Sequence, residues 1–264
     1  MEVAIRDAWE VLTAGPEGAG RAVLLLPGGA NAARSFDLVM TDPALAGVRL
    51  VATTLPGMAG APLTGDVSVP ALAGQAAALA EEHGCNVLVG FSHGATVAVE
   101  MLLCGRFRGP TVLLGISLTT ADEAWFFRAA VRASQRVGSW PMAGLLRLLP
   151  LLGRSAKTPA AHKRDLIEDL KQNRPPDAVA VSSEYLDYIA TGRNYADELA
   201  ACGSPVWVVH ADKGDGGLTG PERATLEAAP TVSLVRIPGS VFLLPDEAPG
   251  AVAAVVAEAV GSAS

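Results

Sequence analysis

Two patterns of hydrophobic and polar positions alternate along most of this 264-residue chain. Short continuous apolar runs are typical of strands buried on both faces of a sheet, and they are separated by stretches in which apolar residues recur at helical spacing. Repeated strand–helix units predict an α/β domain with a mostly parallel central sheet flanked by helices. The apolar runs cover residues 22–26, 48–53, 87–89, 111–118, 206–209 and 232–237.

Further elements are indicated by signals at their ends. The alternating segments Val3–Ile5 and Trp9–Leu12, split by Arg6-Asp7, predict an opening antiparallel pair of strands. Ser68-Val69-Pro70 predicts the start of a helix that runs to about His83. Thr219-x-x-Glu222 is a capping box for another helix, and a last helix is expected from about Pro249 to Val260.

The pattern changes between Thr119 and Tyr195, where no convincing strand is present. Apolar residues recur there at helical spacing, interrupted by prolines. We therefore predict a helical lid over residues 119–195, inserted into a core made of residues 1–118 and 196–264. The predicted lid carries eleven Lys/Arg and eight Asp/Glu, a net charge of +3, which leaves −10 for the remainder of a chain whose formal net charge is −7.

Composition limits the class of protein. Half of the residues are hydrophobic, yet no apolar run reaches the roughly 18–20 residues needed to span a bilayer. Without such a run we expect no membrane partner, and because the N-terminal sequence lacks the basic-then-apolar pattern of a signal peptide we expect a cytoplasmic protein. The net negative charge argues against nucleic-acid binding. Three cysteines without metal-site spacing are expected to be free and buried: Cys85, Cys104 and Cys202.

Candidate chemistry is concentrated in residues 86–101, NVLVGFSHGATVAVEM. An apolar strand leads into the tight turn Gly90–Gly94, and an amphipathic helix is expected from Ala95 onward. In a G-x-S-x-G turn the serine takes a strained backbone conformation that exposes its hydroxyl above the sheet edge. A glycine-rich turn with an ordinary surface serine is the alternative, and the flanking strand and helix patterns disfavour it. Ser92 is therefore the candidate nucleophile.

With this turn the chain resembles the α/β-hydrolase superfamily over essentially its full length. Further matching features are the Pro27-Gly28-Gly29 turn, the Leu55-Pro56-Gly57 turn and the helical insertion after residues 111–118. The resemblance implies an oxyanion hole made of the backbone N–H groups of Gly29 and His93. It also implies an acid after the strand at 206–209, for which Asp215 is the candidate and Asp212 the competitor.

The catalytic base of the family is missing at its usual place. Family members carry a pattern like Pro-Gly-x-x-His after the last strand, whereas Phe242 follows Pro238-Gly239 here. Among the four histidines, His93 and His162 remain as alternative bases, while His83 and His210 are expected to be structural. A serine hydroxyl is a weak nucleophile without a base, so an ordinary acyl-enzyme cycle is in question.

Three functions are therefore kept open. The first is an enzyme acting on a small apolar ester, lactone or thioester through Ser92. The second is a non-hydrolytic cyclase, lyase or eliminase acting on a natural-product intermediate in the same pocket. The third is a catalytically inactive binding protein. The positive charge of the lid could favour an acidic substrate or an acyl carrier protein, or it could belong to an ordinary solvated helical surface, and contacts with a second copy of the chain are also left open.

The substrate pocket is expected to be mostly apolar because the lid holds much of the chain's small aromatic content. Asn31 and Arg34 are candidates to bind a carbonyl or carboxylate, and Met58 and Phe242 to line the wall. Helix packing is the alternative explanation for the aromatic residues. No metal cluster, P-loop or dinucleotide fingerprint is visible, so we expect no metal and no cofactor. The candidate roof residues are Trp125, Phe126, Phe127, Trp140, Tyr185 and Tyr188.

Overall fold

A central eight-stranded sheet organises the protein. The computed structural model describes residues 2–6, 9–212, 217–239 and 243–263. The predicted α/β-hydrolase fold is confirmed: strands alternate with helices, and the sheet is mostly parallel. The strands are β1 Glu2–Arg6, β2 Trp9–Ala14, β3 Ala22–Leu26, β4 Arg49–Thr54, β5 Val87–Phe91, β6 Thr111–Leu114, β7 Val206–Ala211 and β8 Val232–Ile237.

The strand order explains which loops meet. The order is β1-β2-β4-β3-β5-β6-β7-β8. Strand β2 is antiparallel to both of its neighbours, β1 and β4, and the six strands β3 to β8 run parallel to one another. The predicted antiparallel opening pair is confirmed. Because β3 and β5 are neighbours, with Leu26 paired to Gly90, the loops that follow them lie side by side at the carboxyl edge of the sheet.

Helices cover both faces of the sheet. Alternate residues of a strand point to opposite faces, and in β3 Leu24 and Leu26 pack with α2 and α3 while Val23 and Leu25 pack with α1 and α11. The helices are α1 Asp37–Met40, α2 Val69–Glu82, α3 His93–Leu103, α4 Trp125–Val137, α5 Trp140–Ser155, α6 Ala160–Gln172, α7 Pro175–Ile189, α8 Tyr195–Ala201, α9 Gly220–Ala228, α10 Leu244–Glu247 and α11 Pro249–Ser262. Two 3₁₀ turns occupy Ala33–Phe36 and Pro43–Leu45.

The segment between β6 and β7, hereafter the insertion, is helical throughout its regular structure and contains α4 to α8. Helices α4 to α7 lie within the helical pattern expected from Thr119 to Tyr195, and α8 runs beyond it, from Tyr195 to Ala201. The capping box predicted at Thr219 and Glu222 is present at the start of α9. The short helix α10 and the 3₁₀ turns had no recognised signal in the sequence.

The cysteines differ in part from the expectation. All three are free, but Cys104 at the end of α3 is exposed, and Cys85 and Cys202 are half-buried. Burial raises the pKa of the Cys85 thiol to about 12. The prediction that all three are buried was wrong for Cys104, because it follows the last buried turn of α3 and faces outward.

Candidate active site

The turn around Ser92 has the strained geometry that the sequence motif demands. Ser92 joins β5 to α3 with φ +49° and ψ −114°, a conformation that costs a non-glycine residue about 1–3 kcal/mol. A Cβ on Gly90 would lie 2.5 Å from the Cα of Ala95, and one on Gly94 would lie 2.5 Å from the Pro27 carbonyl oxygen. Both flanking glycines are therefore required by close backbone contacts. The predicted strand, turn and helix are present, although α3 begins at His93 rather than at Ala95.

Hydrogen bonds fix the Ser92 backbone and leave its side chain available. Its N–H donates to the Leu114 carbonyl at 2.8 Å, and its carbonyl accepts from the N–H groups of Ala95 and Thr96. Ser92 is half-buried. Within the described ranges, no side chain or backbone group forms a hydrogen bond with the Ser92 hydroxyl. The hydroxyl is thus held at a defined place without a described partner.

The loop after β3 brings Gly29 beside the serine turn. A Cβ on Gly29 would lie 3.9 Å from the Cβ of His93, so the two backbones are close neighbours. The Asn31 N–H donates to the Gly28 carbonyl at 3.2 Å, and the Asn31 side-chain amide donates to the Gly29 carbonyl, also at 3.2 Å. In the part of the chain that the structure describes, the N–H groups of Gly29 and His93 donate to no acceptor.

Asn173, at the end of α6, fastens two adjacent loops to the insertion. Its side-chain NH2 donates to the Ala30 carbonyl at 2.9 Å, and its side-chain oxygen accepts from the Ala59 N–H at 2.9 Å. The same NH2 also donates to carbonyls at the end of α6. Met58 is buried beside this contact, and its sulfur accepts from the Ala30 N–H at 3.2 Å.

The residues that Asn173 holds are themselves strained. Ala30 and Ala59 have φ values of +66° and +44°, and with Ser92 they are the three non-glycine residues of positive φ in the described ranges. They follow β3, β4 and β5, which are adjacent in the sheet. Backbone strain is thus concentrated at one edge, around Ser92. Asn173 is not among the candidates predicted from the sequence, where its position directly before Arg174-Pro175-Pro176 is a weak signal.

The His93 side chain lies between the core and the insertion. Its ring is buried and stacks on the Tyr185 ring of α7, with centroids 5.2 Å apart. Desolvation lowers the pKa of His93 to about 4, so its imidazole is neutral at physiological pH. Its Nε2 is buried and has no hydrogen-bond partner among the described residues.

Tyr185 connects His93 to the loop that follows β6. Its hydroxyl donates to the Glu123 carboxylate. Burial, followed by the charge of Glu123, raises the pKa of Tyr185 well above its usual value, so the phenol stays protonated and donates. Among the predicted roof residues, Tyr185 is therefore brought against the serine turn, with Phe127 packed against it at 6.5 Å between centroids.

A family comparison agrees with the fold. Residues 23–255 match the model of the family described as "Alpha/beta hydrolase family". The chain belongs to the alpha/beta hydrolase family. The match begins in β3 and ends in α11, so it includes the Gly29 loop, the Ser92 turn and the insertion. A comparison with curated proteins gives no significant match.

Solved structures show the same fold for this alpha/beta hydrolase. The esterase RhEst1 from Rhodococcus sp. ECU1013 is 19% identical with a TM-score of 0.72, covering 100% of this chain and 99% of that chain. The epoxide hydrolase CorEH is 18% identical with a TM-score of 0.72, covering 98% of each chain. The bromoperoxidase from Bacillus anthracis is 15% identical with a TM-score of 0.72, covering 99% of this chain and 100% of that chain.

Several candidate residues of this alpha/beta hydrolase are engaged elsewhere or lie outside the site. Arg34, a candidate to bind a carboxylate, instead donates from Nε to both carboxylate oxygens of Asp169 on α6, at 2.7 and 2.8 Å. Trp125 and Trp140 are exposed on the outer surface of the insertion rather than buried in a roof.

Of the two candidate acids and Phe242, the structure describes only Asp212. Asp215 and Phe242 lie outside the described residues. The competitor Asp212, at the end of β7, forms an ion pair with Arg236 at 3.0 Å. Its carboxylate is therefore engaged at the edge of the sheet by a cation of β8.

His162, an alternative base, is paired with a buried carboxylate. Its Nε2 lies 2.8 Å from Oδ1 of Asp246 on α10, and both side chains are buried. Burial alone would lower the pKa of His162, but the hydrogen bond and charge of Asp246, with help from Asp37 and Asp165, outweigh it and raise the pKa. The pair joins α6 to the segment that follows β8, so its evident role is to dock the insertion.

The remaining histidines and aromatic residues have structural positions. His83 is the C-cap residue of α2, as expected. His210 is buried in β7. The Tyr188 hydroxyl donates to Glu100 of α3 at 2.6 Å, and its ring stacks on Tyr195 at 5.1 Å. In the described residues no group of three His, Cys, Asp or Glu side chains is placed to hold a metal ion.

Proposed function

We propose that this alpha/beta hydrolase cleaves a small apolar ester, lactone or thioester, with Ser92 as the nucleophile. The observation that carries the proposal is the strained Ser92 turn beside the backbone N–H groups of Gly29 and His93. Neither N–H group donates to an acceptor among the described residues. A scaffold without catalytic use has no reason to keep a non-glycine residue at φ +49° between two sterically required glycines.

The chemistry follows from where charge develops. The Ser92 oxygen attacks the acyl carbon, and the carbonyl oxygen gains negative charge as its double bond to carbon opens. Two preorganised N–H donors stabilise that charge, and loss of one such donor typically lowers kcat by about 10²–10³-fold. The acyl–oxygen or acyl–sulfur bond then breaks, and the proton lost by the Ser92 hydroxyl ends on the leaving group. Water next attacks the acyl-enzyme, which releases the carboxylic acid and returns a proton to the Ser92 oxygen.

The base is the unconventional part of the proposal. His93 is neutral with a pKa of about 4, which makes it a weak proton acceptor near neutral pH, and His162 is engaged by Asp246. Enzymes that lose their triad still retain about 10³–10⁴-fold catalysis over water from the oxyanion hole and binding. We therefore infer slow turnover with activated esters, rather than the rate of a complete triad.

The similar structures support the reaction class only in part. One of them is an esterase, but the others are an epoxide hydrolase and a bromoperoxidase, and they share the fold with this chain at 15–19% identity. The fold therefore hosts several chemistries, and the choice among them rests on the Ser92 site.

Hydrolysis of p-nitrophenyl esters of increasing acyl length tests the proposal. We expect slow turnover by the wild type and a clearly lower rate for Ser92→Ala, which loses the nucleophile but keeps the two backbone N–H donors and their residual catalysis. Ser262→Ala is the matched control, since among the described residues that hydroxyl bonds only the Ala259 carbonyl near the end of α11. Equal activity of Ser92→Ala and wild type would overturn the proposal, and thermal melting would verify that each variant is folded.

The second candidate is a non-hydrolytic cyclase, lyase or eliminase. It is favoured by the Ser92 hydroxyl having no described base partner, because such a hydroxyl can donate a hydrogen bond to a developing enolate. Turnover of a natural-product intermediate without covalent labelling of Ser92 would support it. Saturable ligand stabilisation without any product would instead support a binding protein.

A further inference from the structure

Exposed apolar side chains are concentrated on one part of the insertion. Within the described residues, six of the seven exposed large hydrophobic side chains lie on α4 and α5, and the seventh is Leu63. Two of the six are tryptophans, with Trp125 74% exposed and Trp140 70% exposed. A protein that leaves such side chains in water usually covers them with a partner. The six residues are Trp125, Phe126, Val137, Trp140, Leu148 and Leu151.

On α5 the exposed residues form a continuous stripe. Trp140, Gly144, Leu148 and Leu151 follow one another at intervals of four, four and three residues, which places them on one face of the helix. Each of the four is exposed, and the opposite face is buried against neighbouring helices. The stripe therefore runs along the outside of the insertion rather than into its core.

The charge of this region has a single sign. Residues 124–164 contain eight Lys/Arg and no Asp/Glu, whereas the whole chain has a formal net charge of −7, so the remainder carries −15. Arg147 and Arg154 are exposed on α5 beside the apolar stripe, and Arg132 and Arg136 are exposed on α4. Helices α4 and α5 thus offer apolar side chains and cationic donors together and contribute no carboxylate; Asp187 of α7 lines a small surface pocket with Arg128 and Arg132 of α4.

We propose that this surface, formed by the outer faces of α4 and α5, docks on an anionic lipid bilayer. Tryptophan and leucine side chains enter the boundary between headgroups and acyl chains, and arginines bind the lipid phosphates. Each basic residue near an anionic membrane adds attraction that salt screens. The sequence expectation of no membrane partner rested on the absence of a spanning segment, which surface docking does not require.

A bilayer fits this surface better than an acidic protein does. Protein interfaces contain roughly one hydrogen bond per 100–200 Å², made by donors and acceptors on both sides. The outer face of α5 offers arginine donors and apolar groups, with Ser155 as its one small polar side chain. A uniformly anionic, partly apolar layer is the complement of such a face. This inference is independent of the reaction proposed at Ser92.

Vesicle binding of the full chain tests the inference. Intrinsic fluorescence is a direct readout, because Trp9 and Trp207 are buried while Trp125 and Trp140 are exposed. We expect co-sedimentation and a blue shift with vesicles containing phosphatidylglycerol, weak binding to phosphatidylcholine alone, and loss of binding at ~1 M salt, where the Debye length is ~3 Å. Arg147→Gln with Arg154→Gln should weaken binding roughly thirtyfold.

Matched control variants distinguish docking through α4 and α5 from nonspecific adsorption to vesicles. Trp140→Ser with Leu148→Ser and Leu151→Ser should remove the blue shift and the binding, whereas Leu63→Ser, at the exposed apolar site outside the insertion, should change neither. Arg223→Gln on α9 is the control for charge. Equal binding to neutral and anionic vesicles would overturn the proposal. So would no vesicle binding by a folded wild type, including a result in which it binds only an acidic acyl carrier protein.

Discussion

The imidazole of His93 stacks on the phenol of Tyr185, with ring centroids 5.2 Å apart and an interplanar angle of 28°. One ring belongs to the first turn of α3, directly after Ser92, and the other to α7 of the insertion. This contact removes His93 from water and positions the insertion over the serine turn. The packing of Tyr185 on His93 therefore affects the pKa of the imidazole.

The first prediction concerns that effect. Tyr185→Ala opens the space beside His93 and should move its pKa from about 4 toward the ordinary value of 6.5. Tyr185→Phe keeps the stacked ring and should leave the pKa low, although it loses the hydrogen bond to Glu123. NMR titration of the His93 ring measures both. Identical titration of the two variants would show that the stacking does not control the desolvation.

The second prediction is a pH dependence of stability. Between pH 4 and 6.5 an unfolded His93 binds a proton that the folded one does not, so stability rises with pH across this window and is complete above 6.5. The difference between the ordinary value and about 4 corresponds to roughly 3 kcal/mol. His93→Phe should remove this component from urea unfolding curves measured across the window. An unchanged slope in the variant would contradict the prediction.

The third prediction concerns the hydrogen bonds by which Asn173 connects α6 to the loops after β3 and β4. Asn173→Ala leaves the Ala30 carbonyl and the Ala59 N–H without their partner, which should cost about 1–3 kcal/mol. Because both loops flank Ser92, kcat should also fall more than KM rises. Asn194→Ala is the control, since it removes an exposed helix cap of the insertion and should cost only about 1 kcal/mol without changing kcat. Similar kinetics for the two variants would refute a positioning role.

The fourth prediction concerns the glycines of the serine turn. Gly94→Ala places a methyl group against the Pro27 carbonyl oxygen, so the backbones of two loops must separate. We expect a loss of at least about 3 kcal/mol or failure to fold. Gly261→Ala in α11 meets nothing within 4 Å and should be neutral or stabilising by about 0.5–1 kcal/mol. Thermal melting compares them, and a fully stable Gly94→Ala protein would contradict the steric argument.

Much of the fold could be predicted from local pattern. The strand at Val232–Ile237 has the predicted bounds, and the capping box starts α9 as expected. The predicted run at 111–118 is strand only to Leu114, because Gly115 with φ +54° turns the chain away from the sheet. The α3 helix begins at His93 because the turn geometry, and not the low helix propensity of glycine, decides its start.

The partners of polar side chains could not be predicted in this way. His162 bonds Asp246, which is 84 positions away, and Asn173 reaches Ala30 from 143 positions away. Such pairs depend on how the insertion packs on the core, and periodicity carries no information about that packing. Motifs located the Ser92 turn and the Gly29 loop because their chemistry is local: close backbone contacts require glycine at fixed spacing.

Intact-mass spectrometry after incubation with a fluorophosphonate tests the central claim most directly, using wild type, Ser92→Ala and Phe242→His. If Ser92 is the nucleophile, the wild type gains the mass of one adduct, Ser92→Ala gains none, and Phe242→His reacts faster because a base is restored. A folded wild type that gains no adduct, while Phe242→His does, would contradict the claim. It would show that the serine turn serves non-covalent catalysis or binding instead.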